Sequence, residues 1–406
     1  MEREHVVIAG AGLAGAQTAV QLREQGWRGP ITLLGDERHV PYDRPPLSKG
    51  LLLGTAGPEA AALEIDFAEL GVGLLLEREV TGLRPVDRQV LTTKGPVGYD
   101  RLVVATGAAP LELPGTRDVP GVHLLRTLDD AVRLRPVLER RSSLVLVGAG
   151  WIGAEVATAA RTAGCPVTVV EAADQPLPGL PDRVTEPMRQ WYAGCGAVLL
   201  TGRRVTAVRE GAVELAGGTV LEADAVLVGI GSRPATGWLA GSGVALAPDG
   251  SVEADEGLRT TVPGVYAVGD CASYPSARYG RRLLIHHWDN ALAGPRTVAA
   301  GIRGEHAVHD PVPYFWSEQF QHFVQYTGRH GEGDEPVWRG DPAAGDAAWS
   351  VCWLREGALA AVLTVNRPRD MAQARKLIAR GARLDPVLAA DPGRPLRDAV
   401  AAAPGA

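Results

Sequence analysis

The chain carries one glycine pattern twice. Val6-Val7-Ile8-Ala9 runs into Gly10-Ala11-Gly12-Leu13-Ala14-Gly15, and Leu144-Val145-Leu146-Val147 runs into Gly148-Ala149-Gly150-Trp151-Ile152-Gly153. A short apolar run of this kind reads as a buried parallel strand, and the glycines then turn the chain into a helix. The first glycine permits the tight turn, the second lets backbone approach a pyrophosphate, and the third lets helix and strand pack closely. The helix N-terminus offers that pyrophosphate unpaired N–H groups and the positive end of a dipole. One match in a glycine-rich chain is weak, but two in strand–turn–helix context predict two bound dinucleotides. Each copy also ends its second strand on an acid, Asp36 after Ile31 to Leu34 and Glu171 after Val167 to Val170. A carboxylate there accepts from a ribose 2′-hydroxyl and repels a 2′-phosphate. The residues after Glu171, Ala172-Ala173-Asp174, supply no arginine to receive such a phosphate. NADH is therefore expected in preference to NADPH at the second site.

At 406 residues the chain is long enough for two or three domains, each with its own core. Its 41 basic against 47 acidic residues give a formal charge of −6, which disfavours bulk binding to nucleic acid or an anionic membrane. No apolar run long enough to span a bilayer is present, and the opening residues lack a secretory signal pattern, so a cytoplasmic protein is expected. The four cysteines, Cys165, Cys195, Cys271 and Cys352, are scattered without C-x-x-C or metal-type spacing, and read as isolated thiols.

Between the two fingerprints, Pro41 to Lys49 reads as an ordered loop, because its adjacent prolines oppose regular helix and central strand. Arg44 and Lys49 place two cations where a cofactor could lie. Leu102-Val103-Val104-Ala105 is a further strand ending in Thr106-Gly107, and residues near Val119 to Thr127 read as a crossing connection. Val265 to Val268 ends in Gly269-Asp270, with a helix starting near Trp288 alongside. From about Pro313 the chain becomes tryptophan-rich, with alternating segments Trp349 to Leu354 and Leu359 to Val365 and a helix near Arg369 to Ala379. That stretch predicts a small third domain. The last residues, from about Pro392, read as partly mobile.

Taken together, these motifs resemble the flavoprotein reductases that carry electrons from NADH to a small ferredoxin serving cytochrome P450 or Rieske oxygenases, of the putidaredoxin reductase and biphenyl dioxygenase reductase types. The markers are the two fingerprints, Arg44-Pro45-Pro46-Leu47-Ser48-Lys49, Ala105-Thr106-Gly107 and Leu125-Arg126-Thr127. They continue with Ala267-Val268-Gly269-Asp270-Cys271, Phe315-Trp316-Ser317 and Thr364-Val365-Asn366-Arg367-Pro368. The set spans nearly the whole chain.

The resemblance implies an α/β fold of two Rossmann-like dinucleotide-binding domains plus a small α+β C-terminal interface domain, as in glutathione reductase. FAD would occupy residues 1–117 and 236–312, NADH residues 118–235, and the interface domain residues 313–406. Gly10, Gly12, Leu13, Ala14, Gly15 and Asp36 would hold the FAD pyrophosphate and adenosine ribose, with Val80 a backbone contact to adenine. Arg44, Thr106, Gly107, Arg126, Gly269 and Asp270 would complete that site, Asp270 at the ribityl–phosphate region. Gly148, Gly150, Ile152, Gly153, Glu171 and Gly231 would form the NADH site, and Glu155 would meet the nicotinamide carboxamide. Lys49 would lie near the isoalloxazine, where a cation stabilises reduced flavin, and Trp288 and Trp316 would bracket the flavin edge. Lys49, Glu155 and Trp316 are thus the expected catalytic set, with an iron–sulfur ferredoxin as acceptor and no metal in the chain itself.

Two segments depart from the family pattern. Ala108-Ala109-Pro110 stands where relatives often carry an arginine, and Leu284-Ile285-His286-His287-Trp288 places His286 where a glutamate is common. An acidic ferredoxin needs a local basic patch, for which Arg296, Arg303, Arg355 and Arg367 are candidates. A disulfide reductase needs a redox cysteine near Pro41-Tyr42-Asp43, and none is there. The competing expectation is a flavin-dependent oxidase or reductase acting directly on a small molecule.

Overall fold

The computed structural model describes residues 4–401. The chain divides into two compact units. The first comprises residues up to Asp43, Ala61–Ala109 and Ser232–Pro313, and the second Arg44–Ala60, Pro110–Gly231 and the residues from Tyr314 on.

The first unit is built on a five-stranded parallel sheet in the order Val265–Ala267, Arg101–Val104, Val6–Ala9, Ile31–Leu34, Val72–Leu75. The central strand is buried along its whole length, because both faces are covered, as a parallel sheet requires. Helix Leu13–Glu24 packs with Trp288–Ile302 on one face, where Ile8, Leu22, Leu33, Val103 and Val298 meet. Val7, Leu34, Leu102, Val104 and Val265 form the core on the other face. A three-stranded antiparallel meander, Val80–Arg84, Gln89–Thr92 and Val97–Gly98, precedes the fourth parallel strand.

The second unit repeats this plan. Its parallel sheet runs Val198–Leu200, Val167–Val170, Leu144–Val147, Ala225–Val228, Val122–His123, again with the fingerprint strand in the middle. A meander of Val205–Arg209, Ala212–Leu215 and Val220–Glu222 again comes just before the parallel strand that pairs beside the fingerprint strand, here Ala225–Val228. The glycine echo in the sequence is thus an echo of topology. The stretch read as a crossing connection supplies the two-residue edge strand Val122–His123.

The same unit contains a five-stranded antiparallel sheet, Tyr314–Gln319, His322–Gly328, Ala358–Val365, Trp349–Arg355, Glu335–Arg339 in spatial order, with helix Pro368–Ala379 against it. Arg339, fully buried, donates to Asp370 at 3.0 Å, and Arg367 donates to the same carboxylate at 2.7 Å. The two guanidiniums also donate to the carbonyls of Ala389, Pro392 and Arg394.

That clamp corrects one expectation. Residues 392–401 are anchored, with Leu396 and Ala399 buried and Leu384 bridging Val400; residues 402–406 lie outside the described residues. A second correction concerns the loop after Arg44. Pro45–Ser48 is a 3₁₀ turn that runs into the short helix Gly50–Leu53. Prolines at the first helical positions lack only an N–H that has no partner there anyway, so the pair starts a helix instead of preventing one.

Candidate functional site

In the first unit, the fingerprint is shaped by contacts that leave no room for a side chain. Gly10 has φ +116°, and a Cβ there would stand 2.2 Å from the Ala105 carbonyl oxygen. A Cβ on Gly15 would stand 1.9 Å from the Gly10 oxygen. A Cβ on Gly12, by contrast, would meet nothing within 4 Å. Gly12 caps helix Leu13–Glu24 with no side-chain hydrogen bond and no acid in the first turn. The space a Gly12 side chain would take is therefore clear of protein at the start of this helix, where an anionic pyrophosphate would need a cradle with room beside backbone N–H groups.

The ends of the neighbouring strands come up to this cradle. A Cβ on Gly35 would stand 2.8 Å from Ala11 Cβ, so exposed Asp36 follows directly beside the loop. Gly269 sits against Ala14, where an added Cβ would be 2.9 Å away, and places half-buried Asp270 at the same helix end. Thr106 donates to the Ala235 carbonyl at 2.7 Å, and Ala235 N–H donates to Gly107 at 2.9 Å, which fixes the turn after Ala105. Val80 begins the meander and packs on the sheet core. Trp288 opens the helix that rests on Gly269–Cys271, and its indole N–H donates to Asp43 at 2.8 Å. Burial raises the Asp43 carboxyl above its ordinary value.

His286 shares a 3.2 Å hydrogen bond with Ser232 through Nδ1. His287, which caps the Trp288 helix, is pushed down to about 4 by burial and by its neighbour His286. Burial also pushes the Cys271 thiol, beneath Thr106 and Gly107, up to about 11, so it is held as an inert thiol.

The second unit repeats the cradle. Gly148 has φ +105°, and a Cβ there would stand 2.3 Å from the Gly229 oxygen. A Cβ on Gly153 would be 2.1 Å from the Gly148 oxygen, while Gly150 again has open space. Glu171 is locked in place, with Oε2 accepting from Ala149 N–H at 2.8 Å and Oε1 from Ala173 N–H at 2.9 Å. The two backbone hydrogen bonds hold this carboxylate at the end of its strand. Ile152 keeps 45% of its surface exposed at the start of the helix, an unusual position for a large apolar side chain. Gly231 pairs with Leu111 through its carbonyl.

One turn along that helix, buried Glu155 gathers four donors. Ser48 Oγ and Lys49 Nζ, the latter at 2.7 Å, donate to Oε2; Ser317 Oγ at 2.8 Å and Glu318 N–H at 3.3 Å donate to Oε1. The structure thus brings together Lys49, Glu155 and the strand that carries Trp316. Trp316 itself stacks on Tyr314, with centroids 6.1 Å apart and planes 22° apart. Arg44 donates to the carbonyl of Arg126, whose own N–H is held at 3.0 Å by the Asp130 carboxylate of a capping box. Ser48 and Ser317 had no role from the sequence, although each stands beside a residue that did. Three of the four arginines considered for a basic patch are engaged within the fold: Arg303 with Glu305 and the Gln25 carbonyl, Arg355 with Asp334, and Arg367 with Asp370.

No helix among the described residues is long and apolar enough to cross a membrane. The sequence pattern of a family described as pyridine nucleotide-disulphide oxidoreductase matches residues 4–294, and that of a reductase C-terminal domain matches residues 314–400. The chain is 38% identical to rhodocoxin reductase of Rhodococcus erythropolis, covering 98% of this chain and 94% of that one. It is also 38% identical to the ferredoxin–NAD(+) reductase component of the p-cumate 2,3-dioxygenase system of Pseudomonas putida, over 97% and 98% of the two chains. Among solved structures, the covalent putidaredoxin reductase–putidaredoxin complex matches with a TM-score of 0.93 at 33% identity, over 98% of each chain. Two fingerprints on duplicated parallel sheets, followed by the antiparallel sheet that carries Trp316, agree with these matches along the whole length: the chain belongs to the pyridine nucleotide-disulphide oxidoreductase family, in the form that ends in a reductase C-terminal domain.

Proposed function

We propose that the protein is an FAD-dependent NADH:ferredoxin oxidoreductase, a component that supplies electrons to a cytochrome P450 or a Rieske oxygenase. The carrying observation is the pair of open cradles at Gly12 and Gly150, each at an uncapped helix N-terminus, on a chain related over its full length to ferredoxin reductases. FAD, when bound, takes the two electrons of a hydride from NADH and releases them singly to an iron–sulfur acceptor.

On this reading residues 1–117 and 236–312 hold FAD, residues 118–235 hold NADH, and residues 313–406 form the interface domain. The backbone N–H groups after Gly12 bind one pyrophosphate, with Asp36 at its ribose and Asp270 at the ribityl–phosphate end. Those after Gly150 bind the other, and Glu171 accepts from its 2′-hydroxyl. Lys49 is the cation that answers the negative charge of reduced flavin. Glu155 holds that ammonium and, because each of its oxygens already accepts two donors, meets a carboxamide only if one of them shifts. Trp316, steadied by Tyr314, lies on the exit side toward the ferredoxin. The cytoplasm is the compartment this activity assigns to the protein.

Rapid mixing of the flavin-loaded protein with NADH or NADPH, followed by ferredoxins and cytochrome c, tests the proposal. NADH should bleach the flavin faster than NADPH, and cytochrome c reduction should depend on the ferredoxin. Cytochrome c reduction independent of every ferredoxin, with rapid consumption of another oxidant, sinks it.

A further inference from the structure

The two units match beyond their fingerprints. In the first, Gly35 at the strand end donates its N–H to the Leu75 carbonyl at 3.0 Å, and its own carbonyl accepts from Arg78 N–H at 2.7 Å. In the second, Glu171 donates to the Leu200 carbonyl at 2.8 Å and accepts from Arg203 N–H at 2.9 Å. Two residues further on, Val80 and Val205 each open a meander. Both meanders have an irregular register after that first residue, and their first strands share one burial pattern. Arg203 therefore holds in the second unit the place that Arg78 holds in the first.

The residues that follow Glu171 in sequence offer no cation, but the fold brings one from beyond the neighbouring strand, Val198–Leu200. Glu171 Oε2 is held by Ala149 N–H of the glycine loop, so hydrogen bonds run from the second cradle through Glu171 to the backbone of Arg203. The loop needs no side chain from Arg203 to keep its shape. Gly202 N–H donates to the Ala173 carbonyl at 2.7 Å, and Arg189 donates to the Asp174 carbonyl at 2.6 Å and to Thr201 Oγ1 at 3.0 Å. Arg189 also pairs with Glu186, whereas exposed Arg203 forms no ion pair and no side-chain hydrogen bond among the described residues. The first unit follows its arginine with Glu79, and the second follows with another exposed cation, Arg204. A grouped positive field of this kind serves an anionic nucleotide that must arrive and leave at every turnover.

We infer that Arg203 reads the adenosine end of NADH opposite Glu171. The inference rests on the reductase reading and adds a specificity residue to it. Glu171 accepts from the 2′-hydroxyl, and Arg203 offers the adenine ring a planar, weakly hydrated cation. The same guanidinium is the group that a 2′-phosphate would meet. Glu171 thus excludes NADPH from a site that already contains a phosphate receptor.

The test uses the flavin-loaded full chain and the variants Arg203→Gln, Glu171→Ala and Glu171→Ala/Arg203→Gln. In Arg203→Gln, KM for NADH should rise about fivefold with kcat unchanged, because a contact remote from the hydride binds ground and transition states alike. The Kd of ADP-ribose, which carries no nicotinamide, should rise by the same factor in calorimetry. Flavin content and melting temperature should stay at wild-type values. Glu171→Ala should gain turnover with NADPH, and the double variant should lose that gain while it still uses NADH. Unchanged KM and Kd in Arg203→Gln overturn the adenosine contact while the reductase reading stands. NADPH turnover that is equal in Glu171→Ala and the double variant overturns the phosphate receptor. A wild-type protein whose flavin NADH does not bleach overturns the reductase reading, and this site with it.

Discussion

Lys49 Nζ and Glu155 Oε2 stand 2.7 Å apart, although the lysine retains 24% of its side-chain exposure and the glutamate only 6%. The pair is therefore asymmetric: the cation can be hydrated if released, but the carboxylate depends on its donors. Glu155→Gln keeps the shape and removes the charge. It should cost about 2 kcal/mol, less than the loss of a fully buried pair because Lys49 reaches water. Glu155→Ala, which also strands Ser48 and Ser317, should cost more. Melting temperatures of the two variants check the order, and flavin reduction by NADH should slow in both.

Gly12→Ala and Gly15→Ala should fail in different ways. The Gly15 methyl would collide with the Gly10 carbonyl at 1.9 Å, so that variant should lose both stability and flavin. The Gly12 methyl meets no protein atom within 4 Å and suits the local φ of −81°, so that variant should fold normally yet purify colourless. Flavin absorbance beside a thermal melt separates the outcomes. Equal flavin content in Gly12→Ala and wild type would show that the open space is not the pyrophosphate cradle.

Glu171→Ala removes the carboxylate pinned by Ala149 and Ala173. The preference for NADH over NADPH, read as the ratio of kcat/KM values, should fall by about tenfold as a direct charge–charge repulsion is lost. An unchanged ratio assigns the discrimination elsewhere.

Acid should weaken the fold through buried His309 and half-buried His287. Burial pushes His287 and His309 down to about 4 from an ordinary 6.5. Between these values the unfolded chain takes up protons that the folded chain refuses, so stability is full above about pH 6.5 and declines as the pH falls toward 4. Each histidine accounts for up to about 3 kcal/mol of that decline. In His309→Gln, the midpoint of urea unfolding should vary less over pH 4 to 7 than in wild type. A slope identical to wild type would remove His309 from this account.

The parallel sheets are legible in the sequence because their signal is local. Val6 to Ala9 and Leu144 to Val147 are uninterrupted apolar runs, and the glycines that follow encode the turn within ten residues. The Glu155 cluster is not legible, because its donors lie 106 and 107 residues before it and 162 residues after it and meet only when the chain is folded. The meanders escape notice for a different reason. Val80–Arg84 and Val205–Arg209 are half-exposed ribbons in which glycine, arginine and threonine dilute the alternation. The 3₁₀ turn at Pro45 is hidden because proline opposes a helix interior but favours a helix start, and the pair alone does not say which of the two it occupies.

The carbonyls of Ala389, Pro392 and Arg394 close the charge cluster of Arg339, Arg367 and Asp370 from outside. The segment from Ala389 to Arg394 thus acts as a stopper. A stop codon or protease cut before residue 389 would strand two guanidiniums and a carboxylate against an apolar sheet with half of their acceptors gone. Such a product should aggregate even though both dinucleotide cradles remain intact in sequence. An affinity tag or fusion partner must therefore be appended beyond this stopper, never substituted for it.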